Sequence, residues 1–263
     1  MLRLLLTLLL SLTALLQPSA VWSEDTLGLP GLVNVSCSNP AHSPVVLVHG
    51  TFANARRAYS SMAPVLKDQG LCLYALNYGR NGLPGVNGTA DIQSSLAEVV
   101  SFAQSVLQKT GASKVSLIGH SQGGLLAFLA AKSPELAGRI DRIVAVAPSL
   151  NGTTLVPNNL SSMHCPACAQ LASQSPFMAT VRMEKLNPKG VNALVLATKN
   201  DLVVTPVESQ FLNEPGVTNL YIQDRYPGVY ATHSGLLHVP QAVGLVKDFL
   251  LDALPASTAM SGP

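Results

Sequence analysis

Two hydrophobic periods run through the chain. From residue 44 onward, short runs of β-branched and aliphatic residues alternate with stretches whose apolar positions recur every three or four residues. Val45-Val46-Leu47-Val48, ended by His49-Gly50, reads as a strand buried on both faces, and 71–78 reads as a second. Residues 59–68 between them carry helical spacing. Thr89 stands where an N-cap belongs, because Ile92, Leu96, Val99, Val100, Ala103, Val106 and Leu107 follow at helical steps. Lys109-Thr110-Gly111 then closes that helix with a cation and a glycine. Further strands are expected over 114–118, 140–146, 191–198 and 217–223, and helices over 123–132 and 241–254, the last with Pro240 near its first turn. Strands separated by helices need crossover connections, which predicts an α/β protein with a mostly parallel sheet of about six strands covered on both faces.

Residues 151–189 break the alternation: they hold Pro157, Pro176 and Pro188 and no strand pattern. They are expected to form an excursion over the carboxyl edge of the sheet. Leu155, Val156, Leu160, Met163, Leu171, Phe177 and Met178 would there supply an apolar pocket, a partial lid or a small packed cap. Nothing reads as a linker, so 24–263 is expected to be one domain, with a frayed tail over 255–263.

The N-terminus follows another rule. Arg3 precedes an almost unbroken apolar run from Leu4 to Leu16, and Gln17-Pro18-Ser19-Ala20-Val21-Trp22-Ser23 follows. A short positive region, an apolar core and small residues describe an export leader over 1–23, cut after Ala20 or Ser23. The run is too short for a bilayer, which needs about 20 residues. A secreted protein without stable membrane insertion is the expectation.

Export changes the reading of Cys37, Cys72, Cys165 and Cys168. An even set in an oxidising compartment implies two disulfides, and four cysteines allow three pairings. The pairing favoured here is Cys37 with Cys72 and Cys165 with Cys168. Cys165-Pro166-Ala167-Cys168 has the spacing of a redox pair, but the residues before it read as loop rather than strand. It is also half a zinc site, and no second Cys-x-x-Cys or His pair completes it, so no metal is expected.

Composition narrows the partners. Among 263 residues, 16 Lys+Arg against 14 Asp+Glu give a net charge of +2, with no basic footprint for nucleic acid. Charged residues are only 11% and apolar ones 48%, which excludes a disordered chain.

The chemistry concentrates at Gly119-His120-Ser121-Gln122-Gly123, between the expected strand 114–118 and the helix 123–132. Gly-x-Ser-x-Gly in that context is a sharp turn. It lifts the serine hydroxyl above the sheet in front of a helix N-terminus, and its glycines avoid collisions with strand and helix. A nucleophilic serine needs a base, and the base needs an orienting carboxylate; in such a sheet the acid comes first and the histidine second. Asp201 follows the strand 191–198 at the edge where Ser121 emerges, although it could instead cap a helix around 206–212. Asp224 is the second choice, and Asp141 begins a strand at the wrong edge. Among six histidines, His233 and His238 lie between the last strand and last helix. His233 is preferred because its loop is free to reach inward, while His238 precedes Val239-Pro240 at a helix entry. His42, His49, His120 and His164 stand elsewhere in the pattern. Oxyanion donors are expected from the Gln122 N–H and from Thr51, with Phe52 as the alternative to Thr51.

Val45-Val46-Leu47-Val48-His49-Gly50-Thr51-Phe52, taken with Gly119-His120-Ser121-Gln122-Gly123-Gly124, closely resembles secreted bacterial lipases and esterases of the α/β-hydrolase fold, class 2 type. The likeness extends through Ala147-Pro148-Ser149-Leu150-Asn151-Gly152-Thr153-Thr154, Cys165-Pro166-Ala167-Cys168 and Ala197-Thr198-Lys199-Asn200-Asp201-Leu202-Val203-Val204-Thr205-Pro206. It implies hydrolysis of acyl esters, possible work at a lipid–water interface, and no redox or nucleotide cofactor. Ser121 would be nucleophile, Asp201 acid and His233 base; the two histidines in Thr232-His233-Ser234-Gly235-Leu236-Leu237-His238 make the base the departure from the pattern. A thioesterase, polyester depolymerase or acyltransferase would use the same groups. A thiol–disulfide enzyme built on Cys165 and Cys168, or a binding module without catalysis, are the readings from other classes. A monomer is expected.

Overall fold

The computed structural model describes residues 28–37, 40–82, 85–155 and 165–254. The expected leader over 1–23, the tail over 255–263, and Val156, Leu160, Met163 and His164 lie outside the described residues.

Six strands form one sheet: β1 Val45–Val48, β2 Leu73–Leu76, β3 Val115–His120, β4 Ile140–Val146, β5 Asn192–Ala197 and β6 Val217–Tyr221. Their order is β2-β1-β3-β4-β5-β6 and every neighbouring pair is parallel. The alternation of side chains explains why the strands read as continuous apolar runs. Val46 and Val48 join Tyr74 and Leu117 in a core on one face, while Val45 and Leu47 join Leu73 and Ile118 in a core on the other. The first core is closed by α3 Ile92–Thr110 and α4 Gln122–Ala131, the second by α1 Ala55–Tyr59, α2 Met62–Asp68 and α8 Pro240–Leu250. Short helices α5 Pro166–Gln170 and α6 Pro176–Arg182 belong to the excursion after β4, and α7 Ile222–Arg225 follows β6. No helix among the described residues is long and apolar enough to cross a membrane.

Strand order reverses between β1 and β3, because β2 lies on one side of β1 and all later strands on the other. In a parallel sheet such a reversal opens a crevice at the carboxyl ends of the strands. Val48 pairs with Gly119, so the loop after β1 and the turn after β3 leave the sheet side by side at that crevice.

Several elements differ from the sequence pattern. The helix expected over 59–68 is two, α1 and α2, separated by Ser60 and Ser61. Serine favours helix ends over interiors, and Asn54 starts α1 earlier by accepting the Arg57 N–H at 2.9 Å. Asp91, not Thr89, caps α3: its carboxylate accepts the Ser94 N–H at 3.0 Å, whereas Thr89 Oγ1 accepts no N–H among the described residues. At the other end Gly111 adopts the left-handed conformation at φ 70°, as the closing glycine requires. The segment 206–212 yields only a 3₁₀ turn, Val207–Gln210, and Asp201 is not its cap.

Both favoured disulfides are present, joining Cys37 to Cys72 and Cys165 to Cys168. The second pair does open a helix, α5, with the Cys165 sulfur accepting the Cys168 N–H at 3.2 Å.

Candidate active site

Ser121 occupies the single-residue turn between β3 and α4 with φ 55° and ψ −122°, a strained conformation for a residue with a side chain. The surrounding glycines make the turn possible. A Cβ on Gly119 would overlap the Gly123 carbonyl, and one on Gly123 would overlap the carbonyls of Val48 and His49. The Gln122 N–H, at the first position of α4, bonds no protein group among the described residues and is an open donor beside the serine.

Asp201 and His233 meet across the crevice. His233 Nδ1 donates to Asp201 Oδ2 at 2.7 Å, which leaves Nε2 as the ring nitrogen able to serve Ser121. Ser121 and His233 line the same cavity, of about 440 Å³. The Asp201 carboxylate is buried and accepts three further bonds, from the N–H groups of Val203 at 2.8 Å and Val204 at 3.0 Å and from Gln210 Nε2 at 2.9 Å. Burial alone would raise its pKa. The His233 bond and the two backbone amides outweigh that, and the carboxyl sits below its ordinary value. Asp224 does not compete: it pairs with Lys199 at 2.5 Å. Asp141 is the second residue of β4, at the amino end of the strand and not among the residues lining the cavity of Ser121.

Three other histidines separate by their partners. His238 lines the rim of the cavity, and its Nδ1 bonds Ser61 Oγ at 2.8 Å rather than a carboxylate. His120 lies behind His233, their ring centroids 4.7 Å apart, and donates from Nε2 to the His233 carbonyl at 3.2 Å. Burial, and next the neighbouring His233, lower the His120 pKa to about 3, so it is neutral. His49 is fully buried, stacks on Tyr78 at 4.4 Å and gives its Nδ1 proton to the Gly50 carbonyl at 2.8 Å; burial lowers its pKa to about 4.

On the oxyanion side, neither the Thr51 nor the Phe52 N–H is bonded to protein among the described residues, so both are open donors. Phe52 has φ 58° and a half-exposed ring, while Thr51 turns its hydroxyl onto Gln122 Oε1 at 2.6 Å. Gly50 permits this approach: a Cβ there would come within 3.0 Å of Ser121 Cβ. Leu155, Cys168, Leu171, Val203 and Val204 contribute apolar side chains to the lining of the same cavity.

Three contributions escaped the sequence pattern. Gln210 sits in the segment expected to be helical, and no spacing rule links it to Asp201. The Thr51 side chain and the His120 ring belong to motifs already noted, but only the register of β1 beside β3 shows what they touch.

Comparison with known proteins decides the family, since the family model described as Lipase (class 2) matches residues 42–226. The chain belongs to the class 2 lipases. This class 2 lipase is 36% identical over 107 residues to a triacylglycerol lipase from Pseudarthrobacter phenanthrenivorans, a match covering 38% of this chain and 32% of that protein. A triacylglycerol lipase from Burkholderia plantarii matches at 36% identity over 107 residues, covering 38% of this chain and 28% of its own. The matched stretch thus spans about a third of the length of these curated relatives. Among solved structures, Aspergillus fumigatus lipase B superimposes with a TM-score of 0.69 at 23% identity, over 83% of this chain and 55% of that one. Mature Bacillus licheniformis lipase BlEst2 gives 0.62 at 17% identity, over 82% and 95%. At those identities the likeness establishes the α/β-hydrolase fold.

Proposed function

We propose that this chain is a serine hydrolase of carboxylic esters, with acyl glycerols as its substrate class. The observation that carries the reading is the 2.7 Å bond between His233 Nδ1 and Asp201 Oδ2 at the cavity that Ser121 also lines. Ser121 Oγ attacks the ester carbonyl carbon while His233 Nε2 takes its proton. Asp201 holds the imidazole in the tautomer with Nε2 free and stabilises the imidazolium. The amides of Thr51 and Gln122 receive the oxyanion. His233 then returns the proton to the departing alcohol, and water, activated by the same histidine, releases the acid from the acyl-enzyme. Neither step requires an electron carrier or a metal-bound water. The apolar wall of Leu155, Cys168, Leu171, Val203 and Val204 supports an acyl chain as the bound portion.

The setting belongs to the same reading. Residues 1–23 are a leader removed on export, leaving one domain over 24–263 that works as a monomer on lipid esters, with 151–189 as its cap. The two disulfides support an oxidising destination.

An organophosphonate ester tests the proposal. It should label Ser121 and no other residue, and Ser121→Ala should fold normally yet lose about 10⁴-fold or more of ester turnover. Ester hydrolysis that survives in Ser121→Ala would end this reading.

A further inference from the structure

Gln210 is fully buried, in the 3₁₀ turn Val207–Gln210, and is not among the residues that line the cavity of Ser121 and His233. Its amide has an unusual assignment of partners. Both groups it faces, Asp201 Oδ2 at 2.9 Å and the Val204 carbonyl at 3.2 Å, are acceptors only. The amide must therefore turn Nε2 toward them and give up both protons. Its Oε1 is left buried with no partner among the described residues. A buried carbonyl without a donor destabilises a fold. Six other buried side-chain atoms also lack a hydrogen-bond partner among the described residues, so what singles out Gln210 is the pair of acceptors it serves.

What the arrangement achieves is fixation of one oxygen. Asp201 Oδ1 is held by two backbone amides of its own turn. Oδ2 is the oxygen that meets His233, and Gln210 is its other donor. The second proton of Gln210, on the Val204 carbonyl, ties that donor to the turn that fixes Oδ1. We propose that Gln210 is a positioning residue for ester hydrolysis, clamping Asp201 Oδ2 at the distance and angle that hold the His233 ring toward Ser121.

The proposal rests on the triad reading above, and the groups around the pair are few. His233 and His120 face Asp201, with His49 further along the same edge; Lys199, two residues away, is paired with Asp224, and Glu208 in the 3₁₀ turn is exposed. Loss of the Gln210 donor concentrates the carboxylate charge on the imidazolium. That charge stabilises the imidazolium formed in the reaction, so the acid limb of activity moves to higher pH.

Gln210→Met, close in shape and without a donor, should lower kcat on the order of tenfold with KM within about twofold, and move the acid limb of kcat/KM upward. Gln210→Glu keeps the shape and can donate only while the introduced carboxyl is protonated, so its activity should fall as pH rises where the wild-type profile is flat. The proton on His233 Nδ1, read by NMR in the resting protein, should shift in both variants. Wild-type kcat, acid limb and Nδ1 resonance in folded Gln210→Met would overturn the inference. If that variant does not fold, a flat wild-type profile in Gln210→Glu overturns it instead. Should the wild-type chain hydrolyse no ester, the functional reading falls by itself, and the Nδ1 resonance still reports whether Gln210 sets the Asp201–His233 bond.

Discussion

Thr51 Oγ1 donates to Gln122 Oε1 at 2.6 Å, joining the loop after β1 to the first turn of α4. The two backbone amides proposed to receive the oxyanion belong to these same two residues. One side-chain bond therefore sets the spacing of two donors that come from different strands. Thr51→Val removes the bond at nearly constant volume and should lower kcat by roughly tenfold or more, less than the loss of a whole oxyanion donor. Thr51→Ser should restore most of it. Equal kcat in wild type and Thr51→Val would show that the loop is held by other means.

The two histidines of the last loop should separate cleanly. His233→Ala leaves the buried Asp201 carboxylate without its histidine partner and should cost turnover about as much as Ser121→Ala, since triad members act as a unit. His238→Ala breaks only the rim contact with Ser61 and should cost less than about tenfold. Parallel assays on one soluble ester check both; a greater loss in His238→Ala would reassign the base.

Acid should destabilise the fold well before the carboxylates titrate. His49 and His120 are held neutral in the fold, to about 4 and about 3 against an ordinary 6.5. Above 6.5 neither the folded nor the unfolded chain protonates them, and the stability is whole. Below it the unfolded chain binds protons that the fold refuses, so stability falls from about pH 6.5 toward 4, on the order of 3 kcal/mol from His49 alone. Asp201, whose pKa is lowered in the fold, adds a loss of the same sign below its ordinary 3.8. Urea midpoints at pH 7.5, 6 and 5 should fall in that order, and unchanged midpoints would contradict the burial assigned to these rings.

Gly123→Ala should fail at the level of folding. Its methyl group would enter the carbonyls of Val48 and His49, which β1 cannot move without losing its pairing with β3. A loss of at least about 3 kcal/mol is expected, at the upper end for overpacking. Thermal melting reads it directly; a wild-type transition would mean the turn can open.

Much of this architecture is legible from residue order because parallel strands buried on both faces leave uninterrupted apolar runs, as Val45-Val46-Leu47-Val48 does. Ser121 is legible because its turn has a fixed local pattern. Asp201 and His233 follow from topology, which puts one after β5 and the other before α8. What stays hidden is what depends on which atoms face one another. Asp91 overrides Thr89 as the α3 cap because a carboxylate two residues on reaches the Ser94 amide. Gln210 reaches Asp201 only because the chain turns back between them, and a nine-residue separation inside a loop has no periodic signature.

The far wall of the cavity is anchored to the core. Gln170, the last residue of α5, accepts the Ile92 N–H at 2.8 Å and donates to the Asp91 carboxylate at 2.7 Å, while the Ala167 N–H bonds the Thr89 carbonyl. The segment carrying Cys168 and Leu171 is thereby bolted to the start of the longest helix. In the ester hydrolysis proposed above, an acyl tail would meet there a surface tied to α3 by three hydrogen bonds.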